Sequence, residues 1–569
     1  MIEEAPPPPY PTSLPDKFPI GKQYTSPLVN VADLQDHLRL LGAFDLLQNL
    51  VRSANPSDSD DAWIVYLARA VYRFEKWILA NPSDRSGPET LPPLDVLMVW
   101  HSYCLNPRNY YEDGVRSIPA IRHTPKFPLA QAANAIDAET LLPLPVLPSS
   151  ARSESWTQLT NMPFDLVHTT GIDEVVAIPC PACPTANLMS VPWVTKDKSG
   201  YAQADFRALC PHCRIAFNRE SMCVRKFCND VVKVRDDPDH QFLAYTILFV
   251  CPSTRLNDVL FFRGTLLSPI TGAISAADSK RVVPRQIGSK VIWLTGSTSE
   301  CTLRHVGTPC RMMRVLSCYE NPTPFSIELS GAVIRQGAFV KKMVDLEWTR
   351  PGHFDVGHQH RAVHVLVRSI ARYHAFVDLL SSALMFFVPT IDIDLTWHTH
   401  QLDCRKYRSD TLALLGRTPD HDDKVEEGAL SSAYDITARA WGARFGVPYS
   451  VCGCTPLTST NRLMNKVSRI LGGKKSQDKP IQNTRPDLVS TLDDDADATH
   501  PSEHNSVVIP NHDAHRAERA RKLGKRIKEL EKDKEKGRLT EWEKLRLERM
   551  QREGHDRAFI YGAVPYWGL

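Results

Sequence analysis

The chain has 569 residues, of which 42% are hydrophobic and 23% are charged, close to the average globular composition. Its formal net charge of +3 argues against a generally basic protein that wraps nucleic acid. Apolar runs fall well short of the roughly 20 residues that cross a bilayer, and the acidic start followed by prolines is unlike a signal peptide. We therefore expect a soluble protein of roughly three to four domains.

The N-terminal residues 1–27 are rich in proline and predict a disordered tail with polyproline II character. Within this tail, Pro7, Pro8, Pro9 and Tyr10 form a P-P-x-Y string, the pattern that WW domains bind. A proline-rich spacer is the alternative. The tail therefore predicts WW-domain proteins as one class of partner.

Residues 28–165 predict a first helical unit and a connector. Asn30 is a suitable N-cap, and the apolar residues from Trp63 to Ile78 recur at helical spacing, which indicates a core-facing helix. Asn106 and Pro107 fit the N-cap and first position of a further helix. Proline and alanine are frequent from 118 to 165, which is typical of a connecting segment.

Two C-x-x-C pairs lie in the next segment, residues 166–235. Cys180 and Cys183 form the first pair, and Cys210 and Cys213 form the second. Four thiolates in two knuckles suit a tetrahedral zinc ion, and they leave no open coordination position. We therefore predict a zinc ribbon with a structural Zn²⁺, with four ordinary reduced cysteines as the alternative. Paired cysteines in such a chain also indicate a reducing compartment, so the cytoplasm or the nucleus.

An internal repeat joins two distant parts of the chain. Pro92–Asp113 and Pro389–Asp410 are identical at eight of 22 positions, including an adjacent Trp and His. Helical periodicity returns after the ribbon, so residues 236–456 predict a second helical unit related to the first.

The Trp-His pair of each repeat has two interpretations. In the structural one, Asp95 and Asp392 cap their helices, the tryptophans lie in the core, and the histidines bond to a backbone or carboxylate partner. In the other, the second repeat forms a metal or catalytic site. Its candidate residues are Asp394, His398, His400 and His421. Positions i and i+2 of a regular helix lie about 200° apart, so the two helical histidines could bind one ion only if the helix bends.

The string from Asp392 to Leu402, followed by His421-Asp-Asp-Lys, resembles the glycine-rich domain-containing protein-like (GRDP-like) family of plants and fungi. The stretch Asn321-Pro-Thr-Pro-Phe-Ser, the proline-rich start and the cysteine-rich insertion are similar to its fungal-type members. The resemblance spans roughly residues 1–455 and implies little about mechanism, since plant members are linked to development and stress responses. The first repeat departs from the family pattern at Ser102-Tyr103.

The C-terminal part predicts little packed structure. Residues 457–512 are polar and predict a disordered linker, although 461–475 could form a basic amphipathic helix on an anionic membrane or in a binding groove. A marginal helix in a linker is the plain alternative there. Residues 513–557 predict charged helices, and 558–569 a tail.

The sequence thus predicts a mainly α-helical protein with two related helical units, an inserted zinc ribbon and disordered tails. We expect a non-enzymatic cytoplasmic scaffold or regulatory protein. A metal-dependent enzyme that uses the second Trp-His motif is the alternative. A nucleic-acid-binding regulator ranks third, because it depends only on the ribbon and the basic C-terminal segment.

Overall fold

The structure is a computed structural model, and its described part is mainly helical, as predicted. It describes residues 14–54, 59–80, 88–123, 126–147, 150–165, 174–183, 187–237, 243–244, 315, 317–354, 360–382, 387–422 and 427–450, together with short pieces between 485 and 537. The predicted WW motif at Pro7–Tyr10 and the predicted amphipathic helix at 461–475 lie outside these residues. Among the helices described, none is both long and apolar enough to cross a membrane.

The structure describes helices before, within and after both copies of the internal repeat. They are α1 Val31–Ser53, α2 Ser59–Leu79, α3 Leu94–Cys104, α4 Pro107–Arg116, α5 Pro119–His123, α6 Leu129–Asn134, α7 Ala151–Thr160, α8 Arg219–Asp236, α9 Leu329–Asp345, α10 His360–Ser382, α11 Ile391–Leu402, α12 Cys404–Leu415 and α13 Glu427–Phe445. The Trp-His motifs lie on α3 and α11. The segment from 118 to 165, expected to be a connector, contains the three short helices α5, α6 and α7.

The described strands pair in twos, and every pair is antiparallel. They are β1 Phe18–Ile20 with β2 Gln23–Thr25, β3 Val175–Pro179 with β4 Leu188–Pro192, β5 Arg207–Leu209 with β6 Ala216–Asn218, and β7 Asp420–Asp422 with β8 Ser506–Val508. Gly21 turns the first hairpin at a φ of +60°, which a residue without a Cβ adopts readily. Its N–H donates to the Asp378 carboxylate at 2.7 Å, and this bond holds the hairpin on α10.

Two helix starts were predicted correctly from local sequence. Asn30 caps α1 through a reciprocal capping box, in which its side chain accepts from the Asp33 N–H and the Asp33 carboxylate accepts from the Asn30 N–H. Asn106 is the N-cap of α4, and Pro107 occupies its first position.

We count the preceding helices α1 and α2 with the first repeat and α9 and α10 with the second, and both repeats contribute to one hydrophobic core. Helix α1 packs against α2 of the first repeat and also against α9, α10 and α11. Trp100 of the first repeat and Trp397 of the second are buried in the same apolar cluster. The division into units 28–165 and 236–456 stays a prediction, since the described helices of the two segments bury their apolar faces together.

A second apolar cluster lies between the cysteine hairpins and α2. Trp193, Phe206 and Phe217 are buried in it, and Val65 of α2 joins them. The ring of Trp193 lies 5.7 Å from the ring of Tyr72 on α2, edge to face. The hairpins are therefore docked on the outer side of the first repeat.

Candidate functional site

The four predicted metal ligands come together. Cys180 and Cys183 follow β3, whereas Cys210 and Cys213 lie in the turn between β5 and β6. Their four sulfur atoms all lie within 4.8 Å of one another, and among the described residues they form the one such group of potential metal ligands. Sequence positions about 30 residues apart thus converge because the two hairpins present their turns to one point.

The sulfur separations fit a tetrahedral ion. Cys180 Sγ lies 3.8 Å from Cys213 Sγ, and Cys183 Sγ lies 3.7 Å from Cys210 Sγ. Sulfurs bound at about 2.3 Å around a tetrahedral metal lie about 3.8 Å apart, whereas a disulfide would join them at about 2.05 Å. The four cysteines are therefore able to hold a metal ion.

The knuckles supply backbone donors to the sulfurs. The Ala182 N–H donates to Cys180 Sγ at 3.4 Å. Burial raises the pKa of Cys210, but N–H groups of Cys213 and His212 and the neighbouring thiols lower it more, to about 6. Burial also raises the pKa of Cys183, to about 12. Four thiolates this close together need a cation to balance their charge.

A buried ion pair begins each Trp-His helix. The Arg73 side chain of α2 donates to the Asp95 carboxylate at 2.7 Å, and the Arg372 side chain of α10 donates to Asp392 at 2.6 Å. All four side chains are at most 2% exposed. The expectation that the two aspartates cap their helices is wrong, because the N-caps are Pro93 and Thr390.

Each of these arginines also donates to at least one carbonyl group and lies near an aromatic ring. Arg73 donates to the carbonyl oxygens of Pro163 and Phe164 at 2.6 and 2.7 Å and lies 4.8 Å from the Trp156 ring. Arg372 donates to the Tyr449 carbonyl at 2.8 Å and lies 5.2 Å from the Trp441 ring. The aspartates therefore fix an arginine from the preceding helix of their own repeat, a role that the motif alone did not reveal.

The tryptophans are in the core, as the structural interpretation expected. Trp100 Nε1 donates to the Tyr110 hydroxyl at 3.1 Å, and Trp397 Nε1 donates to the Tyr407 hydroxyl at 3.0 Å. Each bond spans ten residues and ties the Trp-His helix to the helix that follows it. The matching polar partner satisfies the indole N–H, which a buried tryptophan requires.

The candidate residues of the second motif are held in different directions. His398 Nε2 lies 3.3 Å from the Asp394 carboxylate, and both side chains are fully buried. His400 instead accepts from the Tyr373 hydroxyl at 2.8 Å through Nδ1 and donates to Asp410 at 3.1 Å through Nε2. The helix α11 is continuous through both histidines, so they do not converge on one ion.

The fourth candidate, His421, lies in β7, where its backbone pairs with Val507. Its side chain is outside the described residues. The grouping of His421 with Asp394 and His398 therefore stays a prediction.

The first motif has a histidine contact that the sequence did not predict. His101 Nε2 lies 2.8 Å from His37 Nε2, and His37 Nδ1 lies 2.8 Å from the Thr399 hydroxyl. This hydroxyl donates its proton to the Leu395 carbonyl and so accepts from His37. His37 Nε2 then has only a lone pair, so His101 Nε2 is the donor of the pair.

Burial keeps this histidine pair neutral. It lowers the pKa of His101 to about 3 and the pKa of His37 well below its usual range. The pair links α1 to both Trp-His helices, since Thr399 belongs to α11. No short-range pattern marked His37, because its partners are 64 and 362 residues away.

Comparisons with known proteins point to one family over part of the chain. Residues 311–410 match the model of the family "Glycine-rich domain-containing protein-like". Similar curated proteins are Glycine-rich domain-containing protein 2 of Arabidopsis thaliana, 33% identical over 120 residues, and Glycine-rich domain-containing protein 1 of the same plant, 32% identical over 126 residues. Each alignment covers 20% of this chain and 15% of the relative.

No solved structure matches the chain. The family match includes α9, α10 and α11, and so the whole second Trp-His motif. The segment that holds this motif is thus the part of the chain that matches the GRDP-like family.

Proposed function

We propose that the chain is a fungal-type member of the GRDP-like family that acts as a non-enzymatic scaffold or regulatory protein in the cytoplasm, with one structural zinc ion. The observation that carries the proposal is the set of four convergent cysteines. Four thiolates complete a tetrahedral zinc sphere and leave no position for a substrate or an activated water. A site of this kind contributes folding energy rather than chemistry.

The cysteine hairpins fit the description of a zinc ribbon. Each knuckle lies beside a short antiparallel strand pair, and each has a proline directly after its first cysteine. The pair of hairpins buries aromatic side chains of its own and docks on α2. In this proposal, zinc holds the two hairpins together at the surface of the helical part.

Two related helical units provide the rest of the scaffold. Their kinship is supported by equivalent contacts in both repeats: an Arg-Asp pair, a Trp-Tyr hydrogen bond and a second bond that ends on Asp113 or Asp410. In the first repeat this last bond comes from the Tyr103 hydroxyl at 2.5 Å, and in the second from His400. Tyr103 and His400 occupy equivalent positions of the two repeats, and each bonds to the aspartate at the end of its repeat.

The internal bonds of the second motif favour the scaffold over the alternative of a metal-dependent enzyme. His400 uses both ring nitrogens for bonds within the protein, and His398 lies against Asp394 in the core. A catalytic group needs to reach a substrate, and the side chains of both histidines are at most 1% exposed. Three further roles stay proposals of lower rank. They are binding of WW-domain proteins by Pro7–Tyr10, membrane contact by 461–475, and nucleic-acid binding.

The test is the metal content of the full-length protein, measured by inductively coupled plasma mass spectrometry beside the same measurement on three variants. We expect one zinc per chain, which Cys183→Ser removes and His398→Ala retains. Cys404→Ser is the control for loss of a thiol outside the cluster. A second metal that His398→Ala removes would support the enzyme instead, and iron in place of zinc would overturn the assignment of the metal.

A further inference from the structure

A pocket of about 240 Å³ lies between α1, α2, α3 and α9. We call it the four-helix pocket. Its wall is mainly apolar and includes Phe44, Trp63, Met98, Val333 and Val340. This volume is just below the range of about 300–1,000 Å³ that is usual for ligand sites, so the pocket suits a small molecule.

One polar side chain in this wall has no partner. Gln336 of α9 is 3% exposed, and neither its Oε1 nor its Nε2 makes a hydrogen bond within the part of the chain that the structure describes. A buried amide without partners is costly, and native proteins satisfy most such groups. An amide that faces a pocket without a protein partner therefore points to a ligand that supplies the missing bonds.

The chemistry of the wall limits what this ligand is. A primary amide offers donors and an acceptor side by side, and so it is matched best by a group that offers both in return. The wall also includes the imidazole ring of His101, which burial keeps neutral. Arg52 at the rim is already paired with Asp60 at 3.0 Å, so no described cation inside the pocket balances an anionic ligand.

The mouth of the pocket also carries large apolar side chains beside the Arg52–Asp60 pair. Ile64 and Ile334 line it and are 45% and 49% exposed, which is high for large aliphatic side chains. A ligand with an alkyl portion would cover them. We propose that the four-helix pocket binds a small, uncharged, mainly apolar molecule that carries a carboxamide or lactam group, and that Gln336 pairs with this group.

This proposal is independent of the structural zinc, since the pocket shares no residue with the cysteine cluster. It adds a ligand to the scaffold and places that ligand between helices of both repeats. Binding there would therefore strengthen the contact of α9 with α1, α2 and α3.

The test compares three probes of similar size on the full-length protein by saturation-transfer NMR titration. The probes are hexanamide, 2-heptanone, which can only accept hydrogen bonds, and hexanoate, which is charged. We expect hexanamide to bind about tenfold more tightly than either of the others, because only it satisfies both sides of the Gln336 amide. Equal affinities, or no binding of hexanamide at millimolar concentration, would overturn the proposal.

Two variants separate recognition by Gln336 from occupancy of the pocket. Gln336→Met keeps the length of the side chain, so it should abolish the preference for hexanamide and leave binding of 2-heptanone intact. Gly337 lines the pocket, and a Cβ added there would meet no described atom within 4 Å. We therefore expect the larger side chain of Gly337→Leu to occupy pocket space and to block both probes. The matched control is Gly442→Leu. Gly442 is a helical glycine outside the pocket, and a Cβ added there would have only one described neighbour, at 4.0 Å.

Thermal unfolding of the Gln336→Met variant provides a readout that does not depend on the probes. If the amide is held ready for a ligand, its replacement should leave the Tm unchanged or raise it, because an unpaired buried amide disappears. A clear fall in Tm, or hexanamide binding that Gln336→Met leaves unchanged, would contradict the role assigned to Gln336.

Discussion

Arg372 and Asp392 illustrate how much depends on single buried residues. The pair joins α10 to the start of α11, and both side chains are at most 2% exposed. Its desolvation is compensated only while both partners and the Tyr449 carbonyl are in place. The same holds for Arg73 and Asp95 in the first repeat.

We predict that Arg372→Met destabilises the protein by about 3–5 kcal/mol, because it leaves the Asp392 carboxylate buried without its cation. Denaturant unfolding followed by tryptophan fluorescence measures the change. The double variant Arg372→Met with Asp392→Leu should recover part of the loss, since it buries no uncompensated charge. Lys341→Met, which breaks an exposed pair with Asp345, is the surface control. A loss in Arg372→Met no larger than in this control would contradict the account.

The buried histidines predict a dependence of stability on pH. Burial lowers the pKa of His101 and of His374 to about 3, whereas an unfolded histidine titrates near 6.5. The unfolded state therefore binds more protons below about pH 6.5. Stability is fully present above that pH and falls as the pH drops, by up to about 1.4 kcal/mol per unit for each such histidine.

The measurement is the free energy of unfolding between about pH 7.5 and about pH 4.5. His101→Gln removes one of these groups, so its slope against pH should be shallower than that of the wild type. The comparison between the two proteins also cancels the acid sensitivity of the cysteine cluster. Identical slopes would mean that His101 is not kept neutral in the folded protein.

At the scale of elements, the cysteine hairpins combine four potential metal ligands with an apolar contact on α2. The sequence predicted that these cysteines come together, because C-x-x-C spacing is a local pattern with a known geometry. The aromatic cluster of Trp193, Phe206 and Phe217 and its contact with Tyr72 were not predicted, because they join residues from different elements. Metal loss should therefore affect the hairpins more than the helices.

We predict that chelation of the metal accelerates proteolysis between residues 166 and 235, while helicity by far-UV circular dichroism changes little. The β3–β4 and β5–β6 pairs are short and are joined at the cluster, whereas the helices of both repeats have a separate core. Cys183→Ser should reproduce the effect and Cys404→Ser should not. Unchanged cleavage in that region after chelation would refute the prediction.

On the scale of the whole molecule, two repeats separated by almost 300 residues share one core. Helix α1 is in contact with α2 of its own repeat and with α9, α10 and α11 of the other. The hydrogen bonds of His37 with His101 and with Thr399 likewise connect α1 to a helix of each repeat. The shared Trp and His residues revealed the repeat in the sequence. Helical periodicity predicts which face of a helix is buried, but it does not predict which other helix packs against that face.

The sequence predicted roles that depend on neighbouring residues, but it did not predict roles that depend on contacts between distant helices. Asn30 was predicted correctly because a capping box depends on four consecutive residues. Asp392 was assigned to a cap because its true partner, Arg372, is 20 residues upstream on another helix. The sequence around Gln336 gave no sign of a pocket, since an amide is meaningful there only once the helices around it are known.

The shared core predicts that the chain survives a cut between the repeats. A protease site introduced at residue 280, in the long stretch between Ala244 and Val315, would separate the backbone of the two repeats. We expect the cut halves to co-elute in gel filtration and to unfold in one transition, because their helices bury one apolar surface. Halves that separate under native conditions would show instead that each repeat folds alone. An uncut sample carrying the same insertion is the control.

We expect Cys180, Cys183, Cys210 and Cys213 to form a closed structural zinc site. X-ray absorption spectroscopy at the zinc edge of the purified full-length protein measures the ligands of the metal. We predict four sulfur neighbours at about 2.3 Å and no nitrogen or oxygen neighbour. A coordination shell with fewer sulfurs and a nitrogen or oxygen ligand would contradict it, because such a site has a position open to chemistry.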